Sequence, residues 1–111
     1  MTNDDLHLLR AAGSESDVPA GVLLIERGQP AAGLFVILDG SVVVEAPEGT
    51  TRVLGSGAVI GERGLASESG TRTARVRATS DVRVLAVDRD EFNRLTAEHP
   101  SLIGRIAEAT A

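Results

Sequence analysis

The sequence contains no cysteine, no tryptophan and no tyrosine, and only two phenylalanines among its 111 residues. The missing cysteines exclude disulfide bonds and thiolate metal sites. The missing aromatics leave Val, Leu, Ile and Ala to fill the interior, and leave no Trp or Tyr to stack on a planar ligand. A hydrophobic content of 42% still suits one folded domain with a core and argues against disorder.

Lysine is absent too, so all eleven basic residues are Arg, and the formal net charge is −5. This acidic balance disfavours an extended nucleic-acid footprint, and no nucleic-acid contact is expected of this chain. The N-terminal residues lack the basic start and apolar stretch of a secretory signal. The longest strongly apolar run, residues 34–38, is far short of the ~20 residues that a membrane helix needs. A cytoplasmic protein without membrane contact is therefore expected.

Short runs rich in Val, Ile and Leu alternate with turn residues through the middle of the chain. The runs fall at residues 22–26, 34–38, 41–45, 52–54, 58–60, 73–78 and 82–87. Short strands at this spacing are typical of a sandwich or a barrel. Asp39-Gly40, between two β-branched runs, predicts a β-hairpin with a type I′ turn.

The pattern changes to helical spacing toward the C-terminus. Asp88 and Glu91 have the spacing of a capping box at the start of a helix. Pro100 is expected to interrupt that helix and to be the first residue of a last one. The last helix carries an apolar stripe of Leu102, Ile103, Ile106 and Ala107. With another short helix expected near residues 4–10, the fold class is mainly β with flanking helices at both ends.

Residues 61–78 carry the features that a plain β-domain would not need. Gly61 to Ala66 is expected to form one helical turn between strands, whose unpaired first amides would make an anion site. In the strand that follows, Ala74 lies on the small apolar face, and the same alternation places Arg72 on that inward face. A buried guanidinium needs an anion, and an Arg fork with convergent amides suits a phosphate. Glu62 would accept a hydrogen bond from a hydroxyl beside that phosphate, which describes a nucleotide sugar.

This stretch resembles the phosphate-binding cassette of cyclic nucleotide-binding domains, the family of catabolite activator proteins and protein kinase regulatory subunits. The family pattern is Gly-Glu-x-(Gly/Ala)-Leu, a short loop, and Arg-(Ser/Thr/Ala)-Ala-x-Val. This chain has Gly61-Glu62-Arg63-Gly64-Leu65, a six-residue loop, and Arg72-Thr73-Ala74-Arg75-Val76. The resemblance implies a jelly-roll-like β-barrel with short C-terminal helices. Residues 61–74 are called the cassette segment below.

The resemblance also implies a role for each matched residue. Arg72 would pair with an equatorial oxygen of the cyclic phosphate, and Glu62 would accept the ribose 2′-hydroxyl. Thr73 would offer its amide and hydroxyl near the phosphate and the base, and a Thr here often goes with acceptance of cGMP as well as cAMP. The ligand-binding residues implied are Gly61, Glu62, Gly64, Leu65, Arg72, Thr73 and Ala74, with cAMP or cGMP as ligand and no further cofactor.

Two functions from different classes remain open on the sequence. The first is a regulatory domain that binds a cyclic nucleotide and signals through movement of its C-terminal helix to an effector domain, a partner protein or a second copy in a homodimer. The alternative is a degenerate member that keeps the fold as an interaction or scaffold module and binds no nucleotide. Arg63, a charge in the cassette where an apolar residue is usual, favours the alternative, whereas Glu62, Arg72 and Thr73 favour binding.

Catalysis and metal binding are not expected from this sequence. No Ser-His-Asp or paired-carboxylate arrangement indicates a catalytic role, so the protein is predicted not to be an enzyme. His7 and His99 lie near opposite ends of the chain and lack metal-ligand spacing. The predicted organisation is an N-terminal helical or flexible segment at residues 1–17, followed by the cyclic nucleotide-binding domain at residues 18–111.

Overall fold

The computed structural model describes residues 2–29, 33–61 and 74–109, with side chains as far as residue 106. These residues form helices at both ends and short strands between them. The helices are α1 (Asn3–Ala12), α2 (Arg89–Glu98) and α3 (Leu102–Ala109). The strands are β1 (Ser14–Val18), β2 (Leu23–Ile25), β3 (Gly33–Asp39), β4 (Val42–Glu45), β5 (Thr51–Leu54), β6 (Val59–Ile60), β7 (Arg75–Ala78) and β8 (Val82–Asp88).

The strands pair into two antiparallel four-stranded sheets. Sheet 1 has the order β1-β8-β3-β6, and sheet 2 has the order β2-β7-β4-β5. The chain passes from one sheet to the other at almost every connection, which is the jelly-roll arrangement of a double-sheet sandwich. The prediction of a mainly β fold with flanking helices is confirmed. Among the described strands the sheets do not close into a barrel, so "barrel" describes the fold only approximately.

The hairpin predicted at Asp39-Gly40 is wrong, because β3 and β4 belong to different sheets. A type I′ turn needs positive φ at both central residues, but only Gly40 has it, at 91°. The segment is instead a corner between sheets, held by the amide of Ser41 donating to Ser80 Oγ at 3.0 Å. β4 pairs with β5, and the tight hairpin lies one connection later, where the amide of Ala46 donates to the carbonyl of Thr50 at 2.9 Å.

Corners of this kind gather at one end of the sandwich. The connections β1–β2, β3–β4, β5–β6 and β7–β8 all cross between the sheets there. They bond to one another, since the amide of Gly21 donates to the carbonyl of Ala78 at 2.8 Å and the amide of Gly57 donates to that of Ile37 at 2.8 Å. The connections β2–β3 and β6–β7 lie at the opposite end, which therefore also holds the cassette segment.

The central strands of sheet 1, β3 and β8, are buried on both faces of the sheet, whereas most of the edge strand β1 is exposed. The inner face of sheet 1 packs against sheet 2 in a cluster that contains Ile37, Val84 and Val76. Its outer face, which includes Val36 and Leu85, is covered by the three helices through Leu9, Leu95, Leu102 and Ile106. Burial of this aliphatic surface is the main source of stability that the composition allows. The C-terminal helices thus pack on sheet 1, and β6 of the same sheet leads directly into the cassette segment.

The helix boundaries correct two details of the sequence-based prediction. Asp88 caps α2 as predicted, accepting the amide of Glu91 at 2.8 Å. Pro100 does not begin α3, which starts at Leu102 after a turn in which the amide of Leu102 donates to the carbonyl of His99 at 3.0 Å. Ile103 is not part of the buried stripe, because it is 47% exposed whereas Leu102 is fully buried.

Candidate functional site

The cassette segment joins the two sheets. It starts at Gly61, directly after β6 at the edge of sheet 1, and ends at Ala74, directly before β7 inside sheet 2. The predicted ligand residues Glu62, Gly64, Leu65, Arg72 and Thr73 lie outside the described residues. Both ends of the segment are described, and they determine where it enters and leaves the sandwich.

The N-terminal end is anchored by a short buried strand. Val59 is fully buried and Ile60 is 3% exposed, and they pair with Val36 and Phe35 of β3. Gly61 follows with φ of +90°, a conformation that residues with a Cβ rarely adopt. The glycine that the resemblance singles out is therefore required here by the backbone.

The C-terminal end is anchored by an alternating strand. Val76 and Ala78 are buried, and half-buried Ala74 packs against the same inner cluster. Arg75 and Arg77 lie on the outer face, where Arg77 donates to the carbonyl of Gly21 at 2.8 Å. The predicted alternation is confirmed for the described residues 74–78. The strand period that places Ala74 inward is the one that predicts an inward Arg72.

Acidic and basic side chains tie the strands of sheet 2 together at this end. Glu26, just after β2, accepts from Arg75 Nε at 2.9 Å and from the amide of Arg27 at 3.0 Å. The Arg75 hydrogen bond is the main reason that the pKa of Glu26 is lowered, and that of Arg75 is raised by the same contact. Arg27 reaches across to the end of β4, donating to the carbonyls of Glu45 and Ala46 at 3.3 and 3.1 Å. Sequence reasoning missed this cluster; the placement of Arg75 on the polar face of β7 was the only available signal.

A cavity of about 300 Å³ opens at the same end of sheet 1. Its lining includes Phe35 and Ala86, which pair across β3 and β8, and Gly33 at the start of β3. A side chain at Gly33 would not fit, because a Cβ there would lie 2.2 Å from the carbonyl oxygen of Val87. The backbone of β8 therefore leaves no room for a larger residue at this position.

The C-terminal helix is held to the N-terminal helix by an ion pair between a buried carboxylate and a partly exposed guanidinium. Asp5 of α1 has a side chain that is 3% exposed, and its Oδ2 accepts from Arg105 Nε of α3 at 2.7 Å. The same oxygen accepts the amide of Thr2 at 3.1 Å, and Thr2 Oγ1 accepts the amide of Asp5. Arg105, followed by Thr2, lowers the pKa of Asp5 to about 2 against the opposing effect of burial. Neither partner was singled out from the sequence.

Within residues 2–29, 33–61 and 74–109 there is no group of three or more His, Cys, Asp or Glu that could hold a metal ion. The same residues include no helix long and apolar enough to cross a membrane.

Two jelly-roll sheets, helices on one outer face and a glycine-led connection between the sheets together define a double-sheet β-domain with flanking helices. A family model, the cyclic nucleotide-binding domain, matches residues 15–99 of the chain. The chain belongs to the cyclic nucleotide-binding domain family. The match includes the whole cassette segment.

Relatives with this domain sense cyclic nucleotides in different settings. The chain is 35% identical over 77 residues to the cGMP-dependent protein kinase egl-4 of Caenorhabditis briggsae, covering 69% of this chain and 10% of that protein. It is 33% identical over 98 residues to the cAMP-activated global transcriptional regulator CRP of Salmonella typhimurium, covering 84% of this chain and 47% of that protein. A structure from work on a cyclic-GMP-dependent signalling pathway in bacterial phytopathogenesis matches with a TM-score of 0.84 and 28% identity, covering 97% of this chain and 89% of the other. The chain thus spans a tenth to a half of these two protein relatives.

Proposed function

We propose that this chain is a sensory module that binds cAMP or cGMP at the cassette segment and passes the signal through its C-terminal helix. The observation that carries the proposal is the family match across residues 15–99, which includes the motif from Gly61 to Ala74. The described ends of the segment support the proposal, because one end follows a strand of sheet 1 and the other precedes a strand of sheet 2.

The proposed contacts use the charges that the sequence places in the segment. Arg72 would pair with the cyclic phosphate, since a guanidinium forms strong charge-assisted hydrogen bonds with phosphate oxygens. The amides of Gly64 and Leu65 would bind the same phosphate. Glu62 would accept the ribose 2′-hydroxyl, and Gly61 would let the backbone approach the sugar. Thr73 would contribute near the base, where the chain has no Trp or Tyr to stack on it.

The signal would leave through α3. Leu102 and Ile106 are fully buried against the outer face of sheet 1 in the described state. A nucleotide that binds a second arrangement of this helix more tightly would shift the population toward that arrangement. The partner that reads the shift is proposed to be an effector domain, a separate protein or a second copy of the chain. The module itself is proposed to be cytoplasmic, without catalytic activity and without a cofactor beyond the nucleotide.

The alternative function is a scaffold module that keeps the fold and binds no nucleotide. The feature that favours it is Arg63, which adds a cation inside the motif where an apolar residue is usual. The two functions differ in one measurable property, the stabilisation of the fold by cyclic nucleotide.

Thermal unfolding with and without cAMP and cGMP separates the two. At a nucleotide concentration ~100-fold above the Kd, binding should add about 2.7 kcal/mol to the free energy of unfolding, which for a domain of this size is a rise in Tm on the order of ten degrees. Arg72→Ala should abolish most of the rise, while Arg77→Ala, on the outer face of β7, should keep it. If neither nucleotide raises the Tm at millimolar concentration, nucleotide binding is excluded and the scaffold function is the one supported.

A further inference from the structure

We propose that Glu26 is a positioning residue for the cassette segment: its carboxylate fixes the start of β7, and thereby the place of Ala74 against the interior. This inference rests on the proposed nucleotide binding and adds a residue that lies outside the cassette segment. The inference depends on the contacts at one end of sheet 2, where β2 and β4 end beside the start of β7.

Among the described residues, the backbone pairing of β2 with β7 ends at Val76, one residue short of the start of β7. The register of β2 with β7 is irregular, with Leu23 opposite Arg77 and Ile25 opposite Val76. Arg75 is the first β7 residue, and within the described part of the chain its strand partner is Glu45 of β4. On the β2 side the connection is the side-chain contact from Arg75 to Glu26.

Glu26 makes that contact as part of a larger clamp. A single oxygen, Oε1, accepts both Arg75 Nε and the amide of Arg27. The guanidinium of Arg27 in turn donates to the carbonyls of Glu45 and Ala46. The two strands that flank β7 are therefore tied to each other and to β7 at the level of its first residue.

The consequence for the site follows from chain connectivity. Ala74 is bonded to Arg75 and packs on the inner cluster, and the two residues before Ala74 are the predicted phosphate ligands Arg72 and Thr73. A ligand contact made through short hydrogen bonds depends on the position of its backbone. Loss of the Glu26 clamp should therefore weaken nucleotide binding although Glu26 makes no contact with the ligand.

The test is a double-mutant cycle on nucleotide affinity, measured by isothermal titration of the full chain with cAMP and cGMP. Glu26→Gln and Arg75→Met should each raise the Kd by about three- to fivefold, as expected for a half-exposed ion pair. The double variant should be no weaker than either single one. Arg75→Lys keeps a cation near Glu26 and should therefore retain most of the affinity that Arg75→Met loses. If the role of Arg75 were purely steric, the Lys and Met variants would have the same Kd.

The matched control is Asp17→Asn, which removes an exposed ion pair with Arg83 of 2.9 Å at the edge of sheet 1. It should leave the Kd unchanged, and a Tm measured for every variant identifies any general loss of folding. Equal affinity of wild type and Glu26→Gln, or additive losses in the double variant, would overturn this inference and leave the proposed function intact. Absence of binding by the wild type would overturn both.

Discussion

At the residue scale, the largest pKa shift among the described residues belongs to Asp5, a buried carboxylate outside the cassette segment. Its partner Arg105 is 100 residues away in the sequence. No local pattern links the two, because a pairing over this distance is decided by how α1 and α3 pack on sheet 1. The sequence predicted the two helices and the apolar stripe that buries Leu102 and Ile106, but it could not predict the contact between their charged side chains.

This ion pair should make folding stability depend on pH. The pKa of Asp5 is lowered from 3.8 to about 2 in the folded state, so its stabilisation is fully present above the unfolded-state value and is lost as the pH falls through 2. Asp5→Asn should cost about 1–2 kcal/mol near neutral pH, a value that allows for the partial exposure of Arg105. The measurement is urea unfolding of both proteins between pH 7 and 2.

The difference between wild type and Asp5→Asn should be constant down to about pH 4 and shrink below it. Glu98→Gln is the control, because Glu98 pairs with Arg94 at 3.6 Å while its side chain is 57% exposed. A surface pair of this kind contributes little. A difference for Asp5→Asn that stays constant to pH 2 would show that the pair does not hold its charge as proposed.

At the element scale, side-chain alternation within a strand was predicted correctly from the sequence, whereas the pairing of strands around a corner was not. Alternation correctly separated buried Val76 and Ala78 from outward Arg75 and Arg77, because side-chain direction in a strand is a local property. Asp39-Gly40 misled because a hairpin and a corner both need a residue with positive φ. The choice between them depends on which strand β3 pairs with, and its partners β6 and β8 are distant in the sequence.

Gly40 should therefore tolerate a side chain much less well than a glycine in an open turn. Its φ is +91°, and a Cβ would lie 2.4 Å from the carbonyl oxygen of Asp81 in the neighbouring corner. Gly40→Ala should lower the free energy of unfolding by about 2–4 kcal/mol, from the left-handed conformation and the backbone clash together. Denaturant unfolding measures the loss.

Gly49→Ala provides the matched comparison for this prediction. Gly49 has φ of +93° in the β4–β5 hairpin, but apart from the glycine itself and its two chain neighbours no described atom lies within 4 Å of the position that a Cβ would occupy there. Gly49→Ala should lower the free energy of unfolding by only about 1–2 kcal/mol, because it adds the strain of the left-handed conformation without a backbone clash. Equal losses for the two variants would mean that the corners are free to move apart.

At the scale of the whole molecule, the jelly roll separates the end that holds the corners from the end that holds both termini of the cassette segment. The corners are joined by bonds such as that from Ala20 N to Asp81 Oδ1, at 3.0 Å, and a cavity of about 430 Å³ opens beside Asp39 and Asp81. The other end has the cavity beside Phe35, the Glu26 clamp and both termini of the cassette segment. Composition and turn spacing predicted the β-rich fold, which is confirmed; the ligand site that the motif predicts in the cassette segment stays a prediction. The separation of ends emerges only from long-range pairing.

Because of this separation, nucleotide should change hydrogen exchange at one end of the molecule only. With saturating cAMP or cGMP, peptides covering residues 59–61, 74–76 and 102–109 should exchange more slowly, since the ligand would bind between the first two and α3 would move against it. Peptides covering residues 18–22 and 39–41 should be unchanged, because local opening of the corners does not involve the site. Mass spectrometry of the exchanged chain gives both readings at once.

Arg72→Ala at the same nucleotide concentration should show none of the slowing. Slowing concentrated at the corners would place the ligand at the opposite end from the cassette segment and contradict the proposed site.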